Sequence, residues 1–437
     1  MKMDIKIEPK KFLFVSYDAL ITDIVWTVKK EGHQVKLFIQ NSEDREIGNG
    51  FVEKTDNWKA DVDWADVVVF DDVLGHGAMA QELREKGKLV VGGTAYTDRL
   101  EDERSFGQEE LKKHGIPIIQ YSDFTSFDDA MEYIKQNPAK YVLKPSGEAQ
   151  NWKGLLFVGQ EDDGADVVRV LESYKKTLQK HIVVMQLQKR IMGVEVAVGA
   201  FFNGKQFLTP INVNFEHKKL FPGDIGPSTG EMGTSMFWSM PNKIFNSSLK
   251  KMEETLAREK YVGYIDLNCI VNNYGIYPLE FTARFGYPTI FIQQEGMQIP
   301  MGEFLYGMAS GTLTEFKAKK GFQIGVRVVV PPFPFSGDKE TFESHSKDST
   351  IVFKKNSYEG VHIEDVKLVN GEWVVTGGSG VVLVVVGTGQ TMKEAQRQVH
   401  NRLKNILIPH MYYRQDIGDR WFEDSDKLHS WGYLREQ

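Results

Sequence analysis

Short apolar runs alternate with helix-length amphipathic stretches through the first hundred residues. Phe12-Leu-Phe-Val15, Val35-Lys-Leu-Phe-Ile39, Val67-Val-Val-Phe70 and Leu89-Val-Val91 read as strands, because short β-branched runs bounded by polar turns suit buried strands. Residues 22–30 read as a helix with Ile24, Val25 and Val28 on one face. Strands spaced by helix-sized segments predict a parallel sheet with crossover helices. Asp71 and Asp72 then fall at the carboxyl edge of that sheet, where open α/β sheets bind ligands.

A helix over about 105–114 closes this unit at Gly115-Ile-Pro117. The block 124–190 reads strand, helix, strand, loop, strand, helix, strand, a small subdomain. Residues 191–315 carry long strands, a loop rich in Gly, Ser and Thr over 222–235, and a helix over 247–260. Beyond 320 come a strand over 325–330, the bend Pro331-Pro-Phe-Pro334, more strands and a helix over 391–405, a separable C-terminal α/β unit.

With 437 residues and about 150 per domain, roughly three domains are expected. The 53 Lys+Arg against 60 Asp+Glu give a net charge of −7, so no bulk attraction to nucleic acid or anionic lipid is expected. The single cysteine, Cys269, excludes an internal disulfide and multi-cysteine zinc sites and reads as a buried structural thiol. The charged start lacks the apolar stretch of a signal peptide, and Val381-Val-Leu-Val-Val-Val386 is too short to span a bilayer. A cytoplasmic protein with no membrane partner is the expectation.

The strongest local chemistry is Asp266 and Glu280, on two apolar strands flanking the turn Asn272-Asn-Tyr-Gly275. Such a hairpin sets two carboxylates near enough to share one Mg²⁺, a hard cation that prefers oxygen donors. On the hairpin alone, two solvated strand carboxylates are the plainer reading. Gly223-Asp-Ile-Gly-Pro-Ser-Thr-Gly-Glu-Met-Gly233 permits close backbone approach to an anion; a surface loop is the plainer reading. In Glu216-His-Lys-Lys219, Lys218 could face a phosphate or belong to a solvated cluster. Lys144 ends a strand before Ser146-Gly-Glu-Ala-Gln-Asn-Trp-Lys-Gly154, whose Lys153 suits a phosphate-covering hairpin. Neither a Walker loop nor a dinucleotide fingerprint is present.

Together these segments resemble the ATP-grasp ligases, and among them the glycinamide ribonucleotide synthetases. Gly226-Pro-Ser-Thr-Gly-Glu-Met-Gly233 is similar to the family's Gly-Pro-Asn-Thr-Gly-Gly-Met-Gly, and Leu279-Glu-Phe-Thr-Ala-Arg-Phe-Gly-Tyr-Pro288 to its Ile-Glu-Phe-Asn-x-Arg-Phe-Gly-Asp-Pro. Counterparts to Thr391-Met-Lys-Glu-Ala-Gln and Tyr413-Arg-Gln-Asp-Ile-Gly418 extend the likeness nearly to the end.

The resemblance implies an ATP-grasp fold with an N-terminal Rossmann-like domain (1–104), an ATP-grasp domain (105–319) carrying a lid at about 124–190, and a C-terminal domain (320–437). It implies ATP and Mg²⁺, with Arg104, Lys144, Lys153 and Glu195 at the nucleotide and Asp266 and Glu280 at the metal. Gly226, Pro227, Ser228, Thr229, Gly230 and Gly233 form its substrate loop and Arg284 its catalytic cation; Lys218, from the local cluster, is expected beside it as a second catalytic cation. The implied reaction activates a small carboxylate, glycine or another amino acid, as an acylphosphate and passes it to an amine.

The departures concern the acceptor. Ser16-Tyr-Asp-Ala-Leu20 replaces the family's Gly-Gly-Arg-Glu-His, Phe70-Asp-Asp-Val73 its Gly-Pro-Glu, and Tyr287 and Thr289 an Asp and a Glu. A ligase for another amine, a true glycinamide ribonucleotide synthetase and a nucleotide-binding scaffold without turnover are the readings left open.

Overall fold

The computed structural model describes residues 7–146, 155–182, 184–335 and 337–434. The four apolar runs form the expected parallel sheet: β1 (Lys11–Ser16), β2 (Gln34–Ile39), β3 (Val67–Phe70) and β4 (Leu89–Val91), in the order β2-β1-β3-β4. Helices α1 (Thr22–Lys30) and α2 (His76–Glu85) lie between them. Two further helices, α3 (Ala95–Asp102) and α4 (Arg104–Lys113), follow β4 and meet at an extended Glu103. That single break sets Glu101 and Arg104 at the helix junction.

The next block follows the expected order: β5 (Tyr121–Phe124), α5 (Phe127–Gln136), β6 (Tyr141–Ser146), β7 (Phe157–Val158), α6 (Ala165–Thr177) and β8 (Val184–Lys189). Its antiparallel sheet runs β5-β8-β6-β7 over a core of its own, built on Ile134, Leu143, Val167 and Leu171.

The body is an eight-stranded antiparallel sheet. It contains β9 (Val194–Asn203), β10 (Ile211–Phe221), β11 (Ile225–Ser239), β12 (Val262–Asn272), β13 (Gly275–Thr282) and β14 (Phe322–Val329). Beyond β15 (Val352–Phe353) come β16 (Val361–Ile363), β17 (Val366–Val369), β18 (Glu372–Val375), β19 (Val381–Gly389) and β20 (Ile406–Leu407). The order β13-β12-β9-β10-β11-β14-β19-β16 makes strands on both sides of residue 320 one continuous sheet, and β15–β20 and β17–β18 pair separately.

Two local expectations are corrected. The glycine-rich stretch 222–235 is not a loop: apart from a tight turn it is strand β11, held on β10 by pairing from Ile211↔Ser239 to Phe221↔Ile225. A long paired neighbour outweighs local glycine content, since strand propensity depends on context. The helix expected over 247–260 is broken into Lys243–Ser247, a 3₁₀ turn Leu249–Met252 and Glu253–Arg258. Cys269 is buried, as expected. Among the described residues no helix is long and apolar enough to cross a membrane.

Alternation with period two decides what each face of the body carries. Val194, Val196, Val198 and Ala200 of β9, Val213 and Phe215 of β10, and Ile265, Leu267 and Cys269 of β12 pack into one apolar cluster. The intervening Glu195, Asn212, Asn214, Glu216, Tyr264, Asp266 and Asn268 therefore share the opposite face, a row of polar groups across three strands.

Candidate active site

Along β12 and β13, Asp266 lies opposite Thr282 and Asn268 opposite Glu280, so the predicted carboxylates share a face on a diagonal, two positions apart along the ladder. Asp266 is buried at 3% exposure. Burial, with the nearby Glu216 charge, pushes its carboxyl up from the ordinary range. Close by, Gly199 leaves room for the Tyr264 ring: a Cβ there would clash with the hydroxyl. That hydroxyl accepts hydrogen bonds from Asn212 Nδ2 at 2.9 Å and Asn214 Nδ2 at 3.3 Å.

Glu280 is instead open, with 57% of its side chain exposed. Lys218 Nζ stands 3.2 Å from it, 3.3 Å from Glu216 and 3.7 Å from Glu195, one cation among three carboxylates from three strands. Lys218, against the effect of burial and aided by Lys144 and Arg104, holds Glu280 at about 2. Burial opposes the Lys218 charge, but Glu280, Glu216 and Glu195 outweigh it and raise its proton affinity well above the ordinary value. Asn268 Nδ2 donates to Glu195 at 3.1 Å, while its Oδ1 is buried without a partner.

The remaining cations approach from other elements. Lys144 lies on β6 opposite Gln186, nearly buried. Burial and the neighbouring Arg104 lower its ammonium to about 8. Arg104, at the start of α4, donates to the Pro145 carbonyl at 3.4 Å, tying that helix to the β6 end. Lys153 lies outside the described residues.

The predicted substrate loop runs directly opposite Lys218. Pairing jumps from His217↔Gly233 to Lys219↔Ser228, so Thr229, Gly230, Glu231 and Met232 bulge out against one residue of β10. Thr229 Oγ1 donates to the Lys218 carbonyl at 2.8 Å. Gly226 and Pro227 precede the bulge near the hairpin tip.

Arg284 follows β13 and pairs through Nε with Glu101 Oε1 at 3.1 Å, while Glu101 Oε2 accepts the Ala283 amide at 2.7 Å. Burial works against the Arg284 charge, but Glu101 and Asp72 hold it above its ordinary value. Beside it, a narrow recess of about 10 Å³ is lined by Asp72, Gly92, Gly93, Tyr264 and Arg284 among others. Ser16 Oγ and the Tyr287 hydroxyl both donate to Asp71 Oδ2, at 2.7 and 3.3 Å. Asp71 Oδ1 is buried without a partner, and burial with the Asp72 charge pushes this carboxyl up to about 7.

Sequence reasoning missed Glu101, Glu216, Glu231 and Asn268. Glu231 is buried behind Lys218, its carboxyl raised by burial and by Glu216, its carbonyl accepting from Arg327 at 3.0 Å. The strand alternation that exposed Asp266 also marks Asn268, two residues on; nothing local marks Glu101, whose partner is 183 positions away. Among the described residues no group of three or more His, Cys, Asp and Glu side chains is arranged to hold a metal.

Family models for the phosphoribosylglycinamide synthetase ATP-grasp (A) domain and C domain match residues 102–290 and 338–420. A phosphoribosylamine–glycine ligase from Streptococcus suis is 25% identical over 80% of this chain and 82% of its own length. One from Halalkalibacterium halodurans is 26% identical over 78% and 79%. Among solved structures, the phosphoribosylamine–glycine ligase of Thermotoga maritima superposes with a TM-score of 0.68 at 21% identity, covering 93% of this chain and 100% of that one.

Proposed function

We propose, for a chain that belongs to the phosphoribosylglycinamide synthetase family of ATP-grasp proteins, that its polar cleft joins a small carboxylate to an amine that carries no phosphate. Family membership makes it an ATP-dependent carboxylate–amine ligase; the acceptor is the new element. A carboxylate oxygen attacks the γ-phosphorus of ATP and the bond to ADP breaks, giving an acylphosphate. The amine nitrogen then attacks the acyl carbon, phosphate leaves with the C–O electron pair, and the nitrogen loses a proton.

The observation that carries the ligation is Lys218 among Glu195, Glu216 and Glu280, with Lys144 and Arg104 facing them. Lys144, Arg104, Lys153 and Glu195 would hold the nucleotide. Lys218 and Arg284 would balance charge gathering on the transferring phosphoryl group, an effect that needs fixed charges more than chemistry of their own. The exposed, anionic Glu280, the unpartnered Asn268 oxygen and the adjacent Asp266 are hard oxygen donors that fit Mg²⁺. When bound, Mg²⁺ would neutralise phosphate oxygens. Thr229, Gly230 and their neighbours would close over the carboxylate.

The acceptor reading rests on the recess beside Arg284. Ser16, Asp71 and Tyr287, from three separate segments, form one hydrogen-bonded group next in sequence to Asp72, which lines that recess. The Asp72 charge bears on Asp18, Asp71, Asp98, Glu101 and Asp102, and Arg284 is already tied to Glu101. Such a wall repels phosphate and suits a neutral or cationic amine. ADP release measured with phosphoribosylamine plus glycine, then with phosphate-free amines and a panel of amino acids, tests both parts. Faster release with a phosphate-free amine is expected. Phosphoribosylamine outperforming every other amine would overturn the acceptor assignment, and failure of every pair to release ADP would favour the scaffold.

A further inference from the structure

Behind the sheet, opposite the cleft, the segment 414–420 supplies two arginines that grip β10 on either side of Lys218. Arg420 Nη1 donates to the Glu216 carbonyl and Nη2 to the Glu195 carbonyl, both at 3.1 Å, while its Nε meets Asp424 at 3.3 Å. Arg414, fully buried, donates through Nη1 to the Lys219 carbonyl at 2.8 Å and to Asp224 at 2.9 Å. Its other nitrogens hold Asp416, whose carboxylate also accepts the Gly223 amide at 2.9 Å.

The backbone needs this grip. Pairing between β9 and β10 ends at Asn214↔Ala197; two residues further, continuation would set Glu216 opposite Glu195, like charges face to face, which is unfavourable. On its other edge β10 loses register with β11 at Lys218 itself. Lys218 thus stands where both ladders fail, and bulged backbone re-aims a side chain only if something fixes it. Here the carbonyls of residues 195, 216 and 219 are taken by guanidinium groups, whose planar array of donors can serve two acceptors at once.

We propose that Arg420, seconded by Arg414, is a positioning residue: it clips β9 to β10 and so sets Glu195 and Glu216 around Lys218 and aims that cation into the cleft. The inference rests on the reading of Lys218 as a cation that faces phosphate.

The test is a double-mutant cycle on binding of a non-hydrolysable ATP analogue, measured by calorimetry on the full chain, with a thermal melt of each variant. Lys218→Ala is expected to weaken binding about tenfold, as loss of one charge-assisted contact does. Arg420→Ala should cause a similar loss with a native melt, and the double variant should lose no more than either alone. Arg420→Lys, which offers one ammonium to two carbonyls, should fall between Arg420→Ala and wild type; it carries the cycle if Arg420→Ala does not fold. A folded Arg420 variant that binds like wild type, or losses that multiply in the double variant, would overturn the proposal. Lys218→Ala binding like wild type would overturn it together with the reading of Lys218. Tight analogue binding without ligation would sink only the ligase assignment.

Discussion

Glu280 and Asp71 are carboxylic acids in two parts of one active region, driven in opposite directions. Glu280 is held at about 2 by Lys218, Lys144 and Arg104. Asp71 is pushed up to about 7 by burial and by the Asp72 charge, with two hydroxyl donors that only partly offset them. The proposed nucleotide side is a lattice of alternating charge, with Glu280 more than half exposed; the proposed acceptor side is like-charged, with Asp71 withdrawn from water. The difference teaches that the same side-chain chemistry is set by its partners. On the proposed reading, one half of the site would keep its nucleotide role while the other would change what it accepts.

The largest effect that would test this contrast is loss of the cation at its centre. Lys218→Ala should lower the rate of ADP release by about 100-fold or more, the scale seen when one preorganised charge stabiliser is removed. Asp71→Asn should leave the KM for ATP unchanged. A shift in that KM as large as the Lys218→Ala effect would show that the two sides are not separate.

A smaller effect is expected in stability against pH. Because the folded chain raises the Asp71 value from 3.8 to about 7, it keeps a proton that the unfolded chain releases first. Stability from this group is therefore complete below the unfolded value and declines as pH rises toward about 7, by up to about 4 kcal/mol. Asp71→Asn removes the decline, so its melting temperature should gain on wild type from about pH 5 to about pH 8. A constant difference across that range would show that Asp71 ionises freely. Glu280 has the opposite sign: its contribution is present above its unfolded value and is lost only as pH falls through about 2.

The smallest change is Tyr287→Phe. It deletes one long hydrogen bond, 3.3 Å to Asp71, worth about 1 kcal/mol or less. It should alter the KM for the acceptor amine and leave the KM for ATP untouched. Equal shifts in both would join what the comparison separates.

Much of this architecture was legible because it is written in short-range periodicity. The run Val67-Val-Val-Phe70 is a strand whatever surrounds it, and α1 carries its apolar face in Ile24, Val25 and Val28. The turn before Gly275 predicted the β12–β13 hairpin correctly. What escaped depends on partners distant in sequence. Residues 225–239 look like a loop until β10 is laid beside them. The hairpin puts Asp266 and Glu280 on neighbouring strands, but their diagonal register and the Lys218 cation beside Glu280 depend on strands paired from far along the chain. Glu101 meets Arg284 only because the α3–α4 junction reaches the end of β13.

The continuity of the eight-stranded sheet across residue 320 has a consequence for dissecting the chain. Strand β11 is covered on one side by β10 and on the other by β14, which is followed by β19 and β16. A fragment ending at 319 would present five residues of β11, from Gly233 to Phe237, without the partners they have in β14. Those amides and carbonyls would form an open edge, a template for pairing with other copies. Such a truncation is a recipe for aggregation, even though every residue proposed to touch nucleotide lies before the cut.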